Sequence, residues 1–173
     1  MRLTPFLLVL ALCACKAKHP AETKPEEPKT VVVDIHLAST VHTGDPANAP
    51  QLVTGFYGIE DSAWRWTAKS FSVELHTPAG AREKGATLEV RLTVPPVVTQ
   101  KNGTVTLLSA IGGTPLASQP YPAAGQYIYT REVPASLLTG DTTRVDFQVD
   151  KTIPPGAEDQ RELGIIVTAV GLK

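Results

Sequence analysis

Leu88-Glu89-Val90-Arg91-Leu92-Thr93-Val94 alternates apolar and polar residues without a break. A period of two puts every aliphatic side chain on one face of an extended chain and every polar one on the other. That is the pattern of a strand in an antiparallel sheet with one buried face. Working outward, the same period recurs at Val31-Val33-Ile35-Leu37, Phe71-Val73-Leu75 and Val105-Leu107. It returns at Tyr127-Tyr129, Val145-Phe147-Val149 and Ile165-Val167-Ala169. Turn-rich clusters such as Thr43–Pro50 separate nearly all of these runs. Asn102-Gly103, between Val97-Val98 and Val105-Thr106, is the dipeptide most suited to a tight hairpin. The best helical candidate, Pro134 to Leu138, allows a single turn. About seven to nine short strands over residues 31–173 predict an all-β domain, an antiparallel β-sandwich of jelly-roll or immunoglobulin-like type.

Composition agrees with one domain plus short extensions. The chain has 173 residues, 42% hydrophobic and 19% charged, with 15 prolines and 13 glycines scattered along it. A formal net charge of −1 offers no broad basic field to hold a phosphate backbone, so no nucleic acid is expected as partner.

Residues 1–14 have the order of a signal peptide. Met1-Arg2 supplies a positive start, and Pro5 to Ala14 an apolar run shorter than the ~20 residues that cross a bilayer. Leu12-Cys13-Ala14-Cys15 resembles the lipobox of bacterial lipoproteins. The resemblance implies cleavage after Ala14 and lipidation of Cys15, which anchors the chain to a membrane. The cysteines are 2 in number and one residue apart, too few for a zinc site and too close for an unstrained disulfide. Residues 15–30 form a linker rich in Pro, Lys and Glu, without large apolar side chains, and an extended tether of this length reaches about 45 Å. Lys16 after the lipidated cysteine matches the enterobacterial signal for the outer membrane. The expected location is therefore the bacterial cell envelope, facing either periplasm or surface.

The stretch Gly55 to Thr67 holds both tryptophans together with Phe56 and Tyr57. If Ala63 to Ala68 is extended, Trp64 and Trp66 share one face and Arg65 and Thr67 the other. One of these faces is expected to be core. The apolar face that follows is Phe71-Val73-Leu75, so a slip of parity and a bulge near Lys69-Ser70 are predicted. Gly55 and Gly58 would let the chain turn tightly around Phe56-Tyr57. As a functional surface, Tyr57, Trp64 and Trp66 would stack on sugar rings while Glu60 and Arg65 hold hydroxyls. As structure, the tryptophans would be a core pair and Glu60–Arg65 an ion pair pinning a loop. At least one tryptophan is expected in the core, and the two readings can coexist.

Asp159-Gln160-Arg161-Glu162-Leu163-Gly164 follows the Pro154-Pro155-Gly156 turn. Taken together, Gly-Phe-Tyr-x-x-Glu, Arg-Trp and the later Arg-Glu-Leu-Gly-Ile resemble small β-sandwich regions of bacterial envelope and surface-polysaccharide proteins. The resemblance covers Gly55 to Trp66 and about Val145 to Ile166. It implies that Glu60, Arg65 and Arg161 meet in one cluster, which a structural ion network would equally produce.

Catalytic motifs are missing. There is no Gly-x-Ser-x-Gly, His-Glu-x-x-His or phosphate loop, and His19, His36, His42 and His76 lack metal-ligand spacing. No cofactor and no metal are expected. A glycoside hydrolase would need two carboxylates from Glu60, Glu74, Glu89 and Glu132, and nothing singles out a pair. The expectation is a non-catalytic lipoprotein whose β-sandwich binds carbohydrate or another envelope ligand. The alternative is a protein-interaction or assembly subunit.

Overall fold

The computed structural model describes residues 37–173. The signal peptide, Cys15, the linker, and the first expected strand up to His36 lie outside the described residues.

The alternating runs fold as strands, because an extended chain with one apolar face must lay that face on another such face. In chain order these are β1 (Thr40–His42), β2 (Leu52–Glu60), β3 (Trp64–His76) and β4 (Ala86–Val94). They continue with β5 (Val105–Ile111), β6 (Thr114–Pro115), β7 (Gln119–Tyr121), β8 (Gly125–Val133), β9 (Thr142–Val149) and β10 (Ile166–Leu172). Neighbours pair antiparallel, in the order β6-β5-β9-β3-β10-β4-β8, with β1 on β10, β2 on β3 and β7 on β5. The strand-rich antiparallel sandwich expected from the sequence is therefore observed.

The β2–β3 hairpin serves both halves of the sandwich. Arg65 and Trp66 pair with β10, whereas Ser70 to His76 pair with β9. Between them the register against β2 breaks, from Phe56 opposite Thr67 to Thr54 opposite Ser72. The irregularity falls where a bulge is predicted, but the parity does not slip. Thr67, Phe71, Val73 and Leu75 are all buried, so the odd positions face inward on both sides of the break, with Lys69 turned to solvent within it. Thr67 can take an inward place because its backbone and hydroxyl both bond Ile165, which satisfies the buried polar atoms. Trp64 and Trp66 consequently lie on the outer face, half-buried; Trp66 packs against the edge of the core cluster, and neither is the fully buried tryptophan expected from the sequence. Phe71, Phe147 and Tyr129 fill the core instead, with Phe71 and Phe147 stacked at 4.9 Å. The sandwich halves also meet through a hydroxyl bond of 2.7 Å between Tyr129 on β8 and Ser109 on β5.

The expected hairpin at Asn102-Gly103 is a helix end. Ala81–Lys84 form a one-turn helix, α1, and Pro96–Asn102 a second short helix, α2, with Pro96 in its first turn, where a missing N–H costs nothing. Gly103, at φ +70°, ends it and donates to the Thr99 carbonyl. Val98 is buried and Val97 41% exposed, a contrast of neighbours that a strand and a helix produce alike. The turn expected at Pro134 to Leu138 is present as a 3-10 turn at Ala135–Leu137. Another occurs at Pro46–Gln51, inside the expected loop, where the Asp45 carboxylate accepts from the Ala47 N–H at 2.9 Å.

Tyr121 is buried against Tyr127, ring centroids 4.6 Å apart, and its hydroxyl has no hydrogen-bond partner among the described residues. Burial, reinforced by Tyr129, pushes its phenol above the ordinary value of 10. The unfolded chain therefore gives up this proton at a lower pH than the folded one, and stability falls as pH rises beyond about 10. Urea midpoints measured from pH 8 to 11 should show that loss. They should also show Tyr121→Phe lacking this part of it, and gaining up to about 1 kcal/mol at neutral pH. An unchanged alkaline limb in the variant would refute the assignment.

Candidate functional site

Residues directly opposite on antiparallel strands share a face, so the registers lay out the outer surface of the β1-β10-β4-β8 half. One row runs Trp66, Ile166, Thr93, Gln126. The next runs His42, Ala169, Arg91, Ile128, and the one after it Thr40, Gly171, Glu89, Thr130. The central strand thus turns an alanine and a glycine outward, between longer side chains on its neighbours. This leaves a trough of about 690 Å³, lined by His42, Ala169, Gly171, Glu89, Arg91 and Lys173 among others. A second depression of about 400 Å³, over Thr93, Gln126 and Ile128, meets the first at Arg91 and Thr168. Thr168 sits where the β10 register shifts, an extra residue that widens the face.

Glu89 organises the charge. One carboxylate oxygen accepts from Arg91 Nε at 3.2 Å and the other from Lys173 Nζ at 2.9 Å. The Lys173 hydrogen bond first, then the two cations' fields, hold Glu89 below the usual carboxylate range. Ile128, 58% exposed, adds an apolar surface beside the Arg91 guanidinium.

At one side of this face stand the tryptophans, ring centroids 6.3 Å apart and nearly perpendicular. Their orientation is set by the β2–β3 hairpin, in which Glu60 pairs with Trp64. Arg161, in the segment before β10, reaches Glu60 at 2.7 Å and Asp159 at 2.8 Å, and lies over the Tyr57 ring at 5.3 Å. The Asp159 and Glu60 hydrogen bonds hold Arg161 firmly protonated, and the Arg161 side chain in turn lowers Asp159. Tyr57 Oη donates to the Glu162 carbonyl at 2.8 Å.

Of the residues singled out in the sequence, Tyr57, Glu60 and Arg161 do meet, with Asp159 as a partner the sequence did not suggest. Trp64 and Trp66 meet as a pair. Arg65 stays apart from the ion network and makes no ion pair with Glu60. It lies opposite the inward Val167, giving Nε to the Thr43 carbonyl at 2.8 Å and Nη1 to the Tyr57 carbonyl at 2.7 Å. Cys15 lies outside the described residues.

Of the trough residues, the sequence singles out Glu89 only as a candidate carboxylate and His42 only as a histidine; it also puts Ala169 on the face of Ile165 and Val167, and the register shift at Thr168 turns Ala169 to the opposite face. Small side chains at successive outward positions of a central strand leave a gap. Each carboxylate considered for hydrolysis has its own partner: Arg161 for Glu60, Thr142 for Glu74, Arg91 and Lys173 for Glu89, Thr87 for Glu132. Among the described residues no group of His, Cys, Asp and Glu is arranged to hold a metal ion.

The hairpin tip adjoining the trough is strained. Asp61 and Ser62 take φ of 48° and 54°, the paired positive values of a type I′ turn, where Asn-Gly is preferred. Ser62→Gly is expected to raise stability by about 0.5–1 kcal/mol, read as a higher thermal midpoint. A lowered midpoint would contradict this geometry.

No protein-family model matches the chain, and no curated protein is similar to it in sequence. Among solved structures the chain is similar to a family GH115 4-O-methyl-α-glucuronidase with specificity for decorated arabinogalactans. The TM-score is 0.47 at 13% identity, over 80% of this chain and 18% of that one. It is similar to the carbohydrate-binding module CBM36 in complex with calcium and xylotriose, with TM-score 0.40 and 10% identity over 78% and 98%. A third is the CBM51-2 and INT domain structure from Clostridium perfringens ZmpB, in complex with GlcNAc, with TM-score 0.37 and 10% identity over 80% and 28%. The chain spans less than a fifth of the first of these proteins.

Proposed function

We propose that this chain is a non-catalytic, lipid-anchored glycan-binding module of the bacterial cell envelope, tethered through Cys15 to the outer membrane. The observation that carries the reading is the outer-face trough, floored by Ala169 and Gly171, with Trp66 on the same face. Sugar rings suit such a surface. Their C–H faces pack on an indole or on Ile128, and their hydroxyls exchange hydrogen bonds with Gln126, Thr93, His42 and Arg91. Neither enclosure nor a pair of free carboxylates is needed for binding, and the trough is open to solvent. The lipobox supports the anchor, and the linker supports presentation of the domain away from the headgroups.

Isothermal titration of the full chain with a panel of neutral and acidic oligosaccharides tests the reading. Saturable binding that weakens on Trp66→Ala, in a variant with an unchanged circular dichroism spectrum, is the expected result. No binding to any glycan would refute it.

A second reading, docking of a protein partner, is favoured by one observation. β8 pairs only with β4 among the described residues, and Ile128 is exposed along it. Crosslinking from β8 in intact cells, with no glycan affinity, would select that reading instead.

A further inference from the structure

We infer that the trough selects acidic glycans, and that the carboxylate of a uronic acid residue docks on Arg91. This rests on the glycan-binding reading and names its ligand class. Arg91 stands where the two depressions meet, so a saccharide lying along the face passes over it. Its Nε is taken by Glu89 at 3.2 Å, while Nη1 and Nη2 make no hydrogen bond within the described residues. The Arg91 side chain is 57% exposed and cross-strand from Ala169, too small to cover it. A planar cation fixed at one nitrogen and open at its far edge suits a planar carboxylate, which can accept two parallel hydrogen bonds.

The charges along the trough balance, Arg91 and Lys173 against Glu89 and Asp45, so the selectivity comes from the open edge of the Arg91 guanidinium and not from a net field. The other carboxylate lining the trough, Asp45, is turned into its own loop, accepting from the Ala47 N–H and from Asn48 Nδ2. Thr168 bonds the Arg91 carbonyl at 3.3 Å, so the backbone beneath the guanidinium is also held. Ile128, directly opposite Arg91, offers an apolar surface for the ring that carries the carboxylate.

The test is titration calorimetry of the full chain with oligogalacturonate, alginate and glucuronoxylan fragments, with neutral xylohexaose, and with a sulfated galactan free of uronic acid. At least one uronate ligand should bind ~10-fold or more tightly than xylohexaose, with affinity falling as salt rises. Arg91→Gln should remove the preference, weakening uronate binding ~10-fold more than it weakens xylohexaose binding. Arg91→Lys keeps the charge and the fold but loses the fork, and should remove most of the preference too. Equal affinity for acidic and neutral glycans, with Arg91→Gln indifferent, would overturn this inference and leave the glycan-binding reading standing. A preference for the sulfated galactan over every uronate would overturn the carboxylate assignment. Failure of every glycan, xylohexaose included, would overturn both.

Discussion

Gly55→Ala should cost the domain about 3–5 kcal/mol, the largest loss expected from any one-methyl change in the chain. Gly55 lies in β2 at φ +74°, a conformation that a side chain disfavours. A Cβ there would stand 2.0 Å from the Ser70 carbonyl oxygen and 2.7 Å from the Phe71 Cα. These are backbone atoms of the segment where β3 leaves β10 and joins β9, so they cannot rotate aside as a flexible side chain would. Relief requires β2 and β3 to separate, which uncovers Phe71 and its contacts with Phe56 and Phe147. Chemical denaturation of the full chain should therefore show a greatly lowered midpoint, or no cooperative transition at all. Gly58→Ala is the control, since a Cβ there meets nothing within 4 Å. A Gly55→Ala protein as stable as the parent would mean that the two strands do not cross so closely.

Ala169→Leu should abolish glycan binding while leaving the fold intact. Ala169 is 5% exposed, yet it is covered by its neighbours' flanks rather than by core, since Val170 and Val167 are the inward residues of this strand. A leucine there grows outward between His42 and Arg91 and occupies the trough where a sugar ring would lie. Loss of that contact should weaken binding by ~100-fold or more, close to 3 kcal/mol. Titration calorimetry measures it, and the thermal midpoint checks the fold. Undiminished binding in a folded variant would move the site off this face.

Much of this architecture is legible in the alternation of apolar residues. Leu88, Val90, Leu92 and Val94 are all inward, as are Val145, Phe147 and Val149. A strand in a half-buried sheet has only one way to hide such a row. The tryptophans misled because bulk is an unreliable guide to burial. Trp64 and Trp66 alternate with Arg65 and Thr67, and the polar pair turns inward because backbone carbonyls and Ile165 satisfy it there. That compensation depends on residues 98 or more positions away for Thr67, and no local pattern can reveal it. α2 was hidden for a similar reason. Asn102-Gly103 suits a hairpin turn and a helix end equally, and the burial of Val98 beside the exposed Val97 fits either. The resemblance implies that Glu60, Arg65 and Arg161 meet in one cluster; Arg161 reaches Glu60 at 2.7 Å, whereas Arg65 bonds the Thr43 and Tyr57 carbonyls instead. The trough needs the register of four strands at once, although Ala169 and Gly171 mark its floor.

The most direct test of the central claim is amide chemical-shift mapping of the full chain during titration with an oligosaccharide that binds. The account predicts perturbations clustered at Arg91, Ile128, Thr168, Ala169 and Gly171, with the Trp66 indole N–H moving alongside them. Shifts confined instead to Leu108, Ala110 and Arg144 on the other half of the sandwich would contradict it.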